Sequence, residues 1–184
     1  MNQSTIDLAM IKRASESIKG TAVVTPLKKS IKLSKLLNKN IYLKIESMQH
    51  TGAFKLRGAA NVILNLAEDK KGVGVITAST GNHGRAVAYV ANEFNIRAIV
   101  CMTDLVPENK VEAITELGAE LIIYGDNQDL ATEKALEIAK NKGITFISAF
   151  DDPFVIAGQE SIGLEILKER PEVDTIIVQL GGGG

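Results

Sequence analysis

Three short stretches carry residue types that could do covalent chemistry together. In Thr51-Gly52-Ala53-Phe54-Lys55-Leu56-Arg57-Gly58-Ala59, one lysine stands between an aromatic and an aliphatic neighbour. An amine must be unprotonated to attack an aldehyde, and desolvation or a nearby cation lowers an ammonium's pKa. Phe54 and Leu56 offer the first influence and Arg57 the second. Taken alone, Lys55 reads as a solvated residue on a first helical turn, because lysines are rarely buried. The second stretch is Ser79-Thr80-Gly81-Asn82-His83-Gly84, between an apolar run and a helical pattern. Such a junction binds carboxylate or phosphate through free amides and the positive end of the helix dipole. Gly81 permits the tight turn and Asn82 offers an amide that can donate to a phenolate oxygen, while Ser79 or Thr80 could equally be a plain N-cap. The third is Gly181-Gly182-Gly183-Gly184, whose amides can crowd a phosphate with no side chain in the way. Together they describe a site for an aldehyde cofactor carrying a phosphate.

His83 could be a general base, a donor to a carboxylate or a packing residue at the helix start. His50 reads as a loop residue, and neither histidine sits in a pattern of metal ligands. Cys101 ends the apolar run Ile99-Val100-Cys101-Met102 and reads as a small buried residue.

Positioning these residues requires alternating strands and helices. Strands are expected at 41–45, 73–78, 96–102, 120–124, 145–148 and 175–180, and helices at 56–66, 83–94, 110–117, 130–139 and 156–167. That alternation is the pattern of an α/β protein, a mostly parallel sheet with helices on both faces. An N-terminal helix from about Thr5 to Ile18 is expected to be capped by Ser4 or Thr5 and closed by Gly20, with Gly118 and Gly143 ending two others. Pro153 follows a strand and marks a candidate boundary.

Bulk properties exclude other classes. With 21 Lys+Arg against 22 Asp+Glu the net charge is −1, so no basic face for nucleic acid is expected. No apolar run approaches the ~20 residues that span a bilayer. A single cysteine and an N-terminus without a cationic-then-apolar segment lead to the expectation of a cytoplasmic protein. A strand running into a glycine tetrad leads to the further expectation of a piece of a longer protein.

Taken in order, Ala53-Phe54-Lys55-Leu56-Arg57-Gly58-Ala59, Ser79-Thr80-Gly81-Asn82-His83-Gly84 and Val178-Gln179-Leu180 before the glycine tetrad resemble the fold-type II pyridoxal-phosphate enzymes, the serine/threonine dehydratase and serine racemase group. Thr25-Pro26-Leu27 resembles that family's early strand and Ala157-Gly158-Gln159 its helix start. The resemblance implies a two-domain fold. Residues 70–150 would form a small mobile domain, and 1–69 with 151–184 part of a larger one. Lys55 would form the Schiff base with pyridoxal 5'-phosphate, with Phe54 beside it. Asn82 would bond the phenolic oxygen, Gly181 to Gly184 would hold the phosphate, and Ser79, Thr80, Gly81 and His83 would hold the substrate carboxylate. The implied reaction is β-elimination of a serine- or threonine-like hydroxy amino acid to a 2-oxo acid and ammonia, with Lys55 removing the Cα proton, in a homodimer.

Departures from the family pattern matter. Ala53 replaces a frequent serine, and Gln179 a common proline. Thr80 stands where serine racemases carry a serine that acts as the second base, and its methyl restricts rotamers, so elimination is expected over racemisation. An amino-acid racemase, a non-catalytic metabolite-binding α/β module and an inactive fragment are the competing readings.

Overall fold

The computed structural model describes residues 6–179. Its elements run α1 (Leu8–Ser17), β1 (Leu27–Lys29), α2 (Ile31–Leu37), β2 (Tyr42–Lys44), a single 3-10 turn (Glu46–Met48), α3 (Lys55–Leu64), α4 (Glu68–Val73), β3 (Val75–Ala78), α5 (Asn82–Glu93), β4 (Ala98–Met102), α6 (Glu108–Thr115), β5 (Glu120–Ile123), α7 (Gln128–Lys142), β6 (Thr145–Phe146) and α8 (Pro153–Glu169).

Four strands form one parallel sheet in the order β5-β4-β3-β6, and β1 pairs antiparallel with β2 in a separate ribbon. Alternate strand residues enter different cores. Val75, Ala98, Val100 and Met102 join α3 and α5 residues on one face, and Ile76, Ala78, Ile99 and Cys101 join α7 residues on the other. A β3 and a β4 buried at every position result. Strand β5 is the sheet edge, which explains why its apolar run is only partly covered and Ile123 stays exposed. Burial of Cys101 pushes its thiol up to about 11, as suits a packing residue.

The chain's direction across the sheet is decisive. From β3 it steps outward through β4 to β5, then returns through α7 to place β6 on the other side of β3. The carboxyl ends of β3 and β6 are therefore neighbours at a topological switch point, where open α/β sheets bind ligands.

Helix α3 packs against both α5 and α8, and so ties the lysine's segment to the sheet. Its contact with α8 is close because two glycines meet. A Cβ on Gly158 would lie 2.6 Å from the Arg57 carbonyl, and one on Gly58 would lie 2.8 Å from the Val155 carbonyl.

Several expectations are corrected. Residues 175–179 form no strand; Ile177 is 92% exposed and Val178 73%, and among the described residues no strand pairs with them. Asp7, not Ser4 or Thr5, accepts the Met10 amide at the start of α1; Ser4 and Thr5 lie outside the described residues. Pro153 begins α8 as a first-turn residue behind the Asp152 cap, so Ala157-Gly158-Gln159 lies inside that helix and not at its start. Gly20, Gly118 and Gly143 all take positive φ, and Gly143 is the left-handed C-cap of α7. Helices α2 and α4 lie outside the expected set, being only 7 and 6 residues long without a buried side chain to impose a helical apolar period.

Candidate active site

Lys55 is the first residue of α3. Its Nζ donates to the Ala149 carbonyl at 2.6 Å and lies 5.3 Å from the Phe54 ring centroid. No carboxylate pairs with it among the described residues. Burial alone lowers its pKa below the ordinary lysine value. Ala149 follows β6, so a bond spanning 94 positions in sequence brings the amine to the switch point.

Arg57 does not supply the cation expected to help. Only 1% exposed, it lies in a buried cluster. It donates to Glu46 at 2.8 and 2.9 Å, to Glu165 at 2.7 and 2.9 Å, to Ser161 at 3.1 Å and to the Val23 carbonyl at 3.2 Å. Lys44 also pairs with Glu165. Two cations meet two anions, so little net field reaches Lys55. The sequence signal for this cluster is weak: Glu165 lies 108 positions from Arg57, and of the four charged members only Arg57 falls within a motif.

The second stretch joins β3 to α5. No side chain caps α5. Ser79, expected as a cap candidate with Thr80, instead accepts the Gly81 amide within the loop at 3.2 Å. Among the described residues the first-turn amides of α5 thus have no side-chain partner, and Ser79, Thr80 and Asn82 are accessible. Gly84 lets this turn sit tight against the sheet, since a Cβ there would lie 2.9 Å from the Ser79 carbonyl.

His83 is 3% exposed. Its Nε2 lies 3.3 Å from the Ile147 carbonyl, which can only accept, so Nε2 carries the proton and Nδ1 keeps a lone pair. No donor reaches Nδ1. Burial, with the Lys55 charge adding to it against the Ile147 bond, lowers the imidazole pKa to about 4. The unfolded chain would bind a proton near 6.5 and the folded one near 4, so this histidine's contribution to stability is complete above pH ~6.5 and is lost as pH falls towards 4. The loss is about 3 kcal/mol. Urea midpoints of wild type and His83→Gln between pH 7 and 4.5 measure it; the wild-type curve should fall more steeply, and parallel curves would refute the assignment.

His50 proves more than a loop residue: its ring stacks on Tyr89 of α5 at 5.6 Å, linking the loop before Lys55 to that helix. Gly181 to Gly184 lie outside the described residues. Lys55, Phe54 and His83 are joined through the loop after β6, while Ser79, Thr80, Gly81 and Asn82 surround the start of α5. The donor set fits an aldehyde-bearing anionic cofactor: an unpaired, partly desolvated amine beside an uncapped helix start. Among the described residues no cluster of metal ligands occurs, and no helix is long and apolar enough to cross a membrane.

Residues 18–184 match the family model described as pyridoxal-phosphate dependent enzyme. The chain is 43% identical over 179 residues to the L-threonine ammonia-lyase of Thermotoga maritima, covering 97% of this chain and 45% of that protein. Processed threonine deaminase isoform 2 of Solanum lycopersicum superposes with a TM-score of 0.81 at 38% identity, over 89% of this chain and 49% of that one. Maize serine racemase superposes with a TM-score of 0.88 at 30% identity, over 91% and 51%. The chain thus spans about half the length of the proteins it matches.

Proposed function

This chain belongs to the pyridoxal-phosphate dependent enzymes, and on that premise we propose that the whole protein is an ammonia-lyase that removes water from a serine- or threonine-like hydroxy amino acid, giving a 2-oxo acid and ammonia. The observation that carries this reading is the Lys55 amine: partly desolvated, without a counter-ion among the described residues, and held by one carbonyl at the switch point.

When bound, pyridoxal phosphate supplies an electron sink for the pair released from the Cα–H bond. Lys55 would hold the cofactor through its amine and would take the Cα proton; burial, which lowers its pKa below the ordinary lysine value, favours the neutral amine that both roles need. The first-turn amides of α5, with the Ser79 and Thr80 hydroxyls, hold the substrate carboxylate and orient Cα. His83 serves there through its backbone N–H, since its ring presents a lone pair and stays neutral at pH 7. Asn82 is assigned to the phenolic oxygen, Phe54 to the cofactor's surroundings and the glycine tetrad to the phosphate. Residues 70–150 are assigned to a small mobile domain, a division supported by a parallel sheet drawn wholly from residues between Val75 and Phe146. A cytoplasmic homodimer is part of the same proposal.

Racemisation is the second reading, favoured by the 0.88 TM-score to a serine racemase and disfavoured by the methyl of Thr80 beside its hydroxyl. Full-length protein loaded with pyridoxal phosphate should release ammonia and 2-oxo acid in equal amounts from L-serine or L-threonine. D-serine formed in place of ammonia would replace the lyase reading with the racemase.

A further inference from the structure

The even net charge conceals an uneven distribution. Seven lysines and no acidic residue lie between Glu16 and Glu46. Lys19 pairs with Glu16, and Lys44 with Glu165. The other five, Lys28, Lys29, Lys32, Lys35 and Lys39, are exposed, and none meets a carboxylate among the described residues. On α4 and α7, Lys71 and Lys134 each have a glutamate three residues away on their own helix. On α2 the corresponding pair is Lys32 with Lys35, where like charges repel.

Three of these lysines line one cleft of about 560 Å³: Lys29 of β1, Lys35 of α2 and Lys39 just beyond α2, together with Ser34, Asn38 and Asn40. Ile31 is its one apolar lining residue, and no carboxylate lines it. Hydrogen bonds fix the frame. The Ser34 hydroxyl accepts the Ile41 amide at 3.0 Å. The Ser34 carbonyl accepts the Asn38 and Lys39 amides, closing α2 on a left-handed Asn38 with φ of +50°. Lys29 Nζ donates to the Asn40 side chain at 2.8 Å, which ties the β1 amine to the turn after α2. The lysines also complement the negative end of α2, but that end carries only about half an elementary charge against three ammonium groups.

We infer that the cleft between β1 and α2 binds a multiply charged anion of the phosphate type. Ammonium groups act as compact point charges that suit phosphate oxygens, and a single carboxylate brings too little charge to neutralise three of them. No aromatic side chain lines the cleft, so a nucleic acid base has nothing there to stack on. A soluble phosphate and a lipid headgroup offer the same chemistry; the exposed Ile31 and Leu36 beside the lysines suit the second source. The site uses none of the residues assigned to the ammonia-lyase reaction and stands apart from that reading.

The test uses full-length protein saturated with pyridoxal phosphate, so that the cofactor's own phosphate site is filled. Wild type is compared with a cleft variant combining Lys29→Gln, Lys35→Gln and Lys39→Gln. A control combining Lys12→Gln, Lys140→Gln and Lys142→Gln removes the same charge elsewhere. Calorimetry without divalent cations measures inorganic pyrophosphate and citrate, and sedimentation measures vesicles of phosphatidylglycerol in phosphatidylcholine against phosphatidylcholine alone. Wild type should bind pyrophosphate, or the anionic vesicles, at least about 10-fold more tightly than the cleft variant. The control should lose under about 2-fold, and binding should weaken with added salt. Lys35→Glu alone should weaken binding too. All variants should keep the wild-type urea midpoint and ammonia release. Pyrophosphate binding lost in the cleft variant supports a soluble anion; vesicle binding alone, lost in that variant, supports a headgroup. Binding unchanged in the cleft variant, binding weakened equally in the control, citrate held more tightly than pyrophosphate, or no binding to either probe overturns the inference. Cleft binding in a protein that releases no ammonia would defeat the lyase reading alone.

Discussion

Lys55→Ala in the full-length protein should lose the visible absorption of bound pyridoxal phosphate and at least ~10³-fold in turnover, because one side chain serves as both covalent anchor and proton acceptor. The fold should survive the change. Among the described residues Lys55 makes one side-chain hydrogen bond, to Ala149, and no ion pair. A urea midpoint close to wild type would then separate lost chemistry from lost structure. No other lysine is expected to substitute: Lys44 is committed to Glu165 and Thr25, and Lys71 and Lys134 pair with glutamates in their own helices. Borohydride reduction of the wild type, followed by peptide mass mapping, should place the cofactor on the Lys55 peptide. Full turnover in the alanine variant, or a label on another lysine, would refute the assignment.

Arg57→Met should be the most destabilising single change near the site, by about 3–5 kcal/mol at pH 7, since it strands carboxylates in a buried place. The Glu46 carboxyl shows why. Burial pushes its pKa up, but hydrogen bonds from Arg57 and Thr25 outweigh that and hold it below the ordinary value. Without the guanidinium the burial effect is left largely unopposed. A depressed carboxyl contributes stability above its unfolded pKa and loses it as pH falls through the folded one. Above the ordinary value of 4.5 the wild-type Glu46 contribution is fully present, so it changes little from pH 7 to pH 5, whereas the variant, its Glu46 pushed up by burial, should regain stability as that carboxyl protonates; the gap between them should therefore narrow from pH 7 to pH 5. Urea unfolding at the two pH values measures this, and a deficit below 1 kcal/mol at pH 7 would show that the cluster is not coupled. Arg57→Lys should rescue little, because an ammonium cannot bond both carboxylates in the planar fork geometry. The variant should also hold the cofactor less firmly, since Arg57 anchors the first turn of α3, two residues from Lys55, to α8.

The Arg57 cluster marks where reading the chain alone stops. From its motif, Arg57 was an available cation beside the lysine; three-dimensional neighbours from β2, the 3-10 turn and α8 turn it into a neutralised anchor. His83 shows the same limit. Its place at a helix start was legible, but which nitrogen carries the proton depends on the Ile147 carbonyl, 64 positions away.

What the sequence determined by itself was local: the period-2 and period-3.6 apolar patterns that make β3, β4, α3, α5 and α8, and the loop chemistry at Ser79–Gly84, because these follow from interactions within a few residues. Even there, the β-branched run at 175–179 is no strand, since among the described residues no other strand pairs with it. The tertiary structure decided the rest. The return of the chain to set β6 beside β3 carries the Ala149 carbonyl to the Lys55 amine and the Ile147 carbonyl to His83, and the burial that lowers both pKa values exists only once these distant segments pack together.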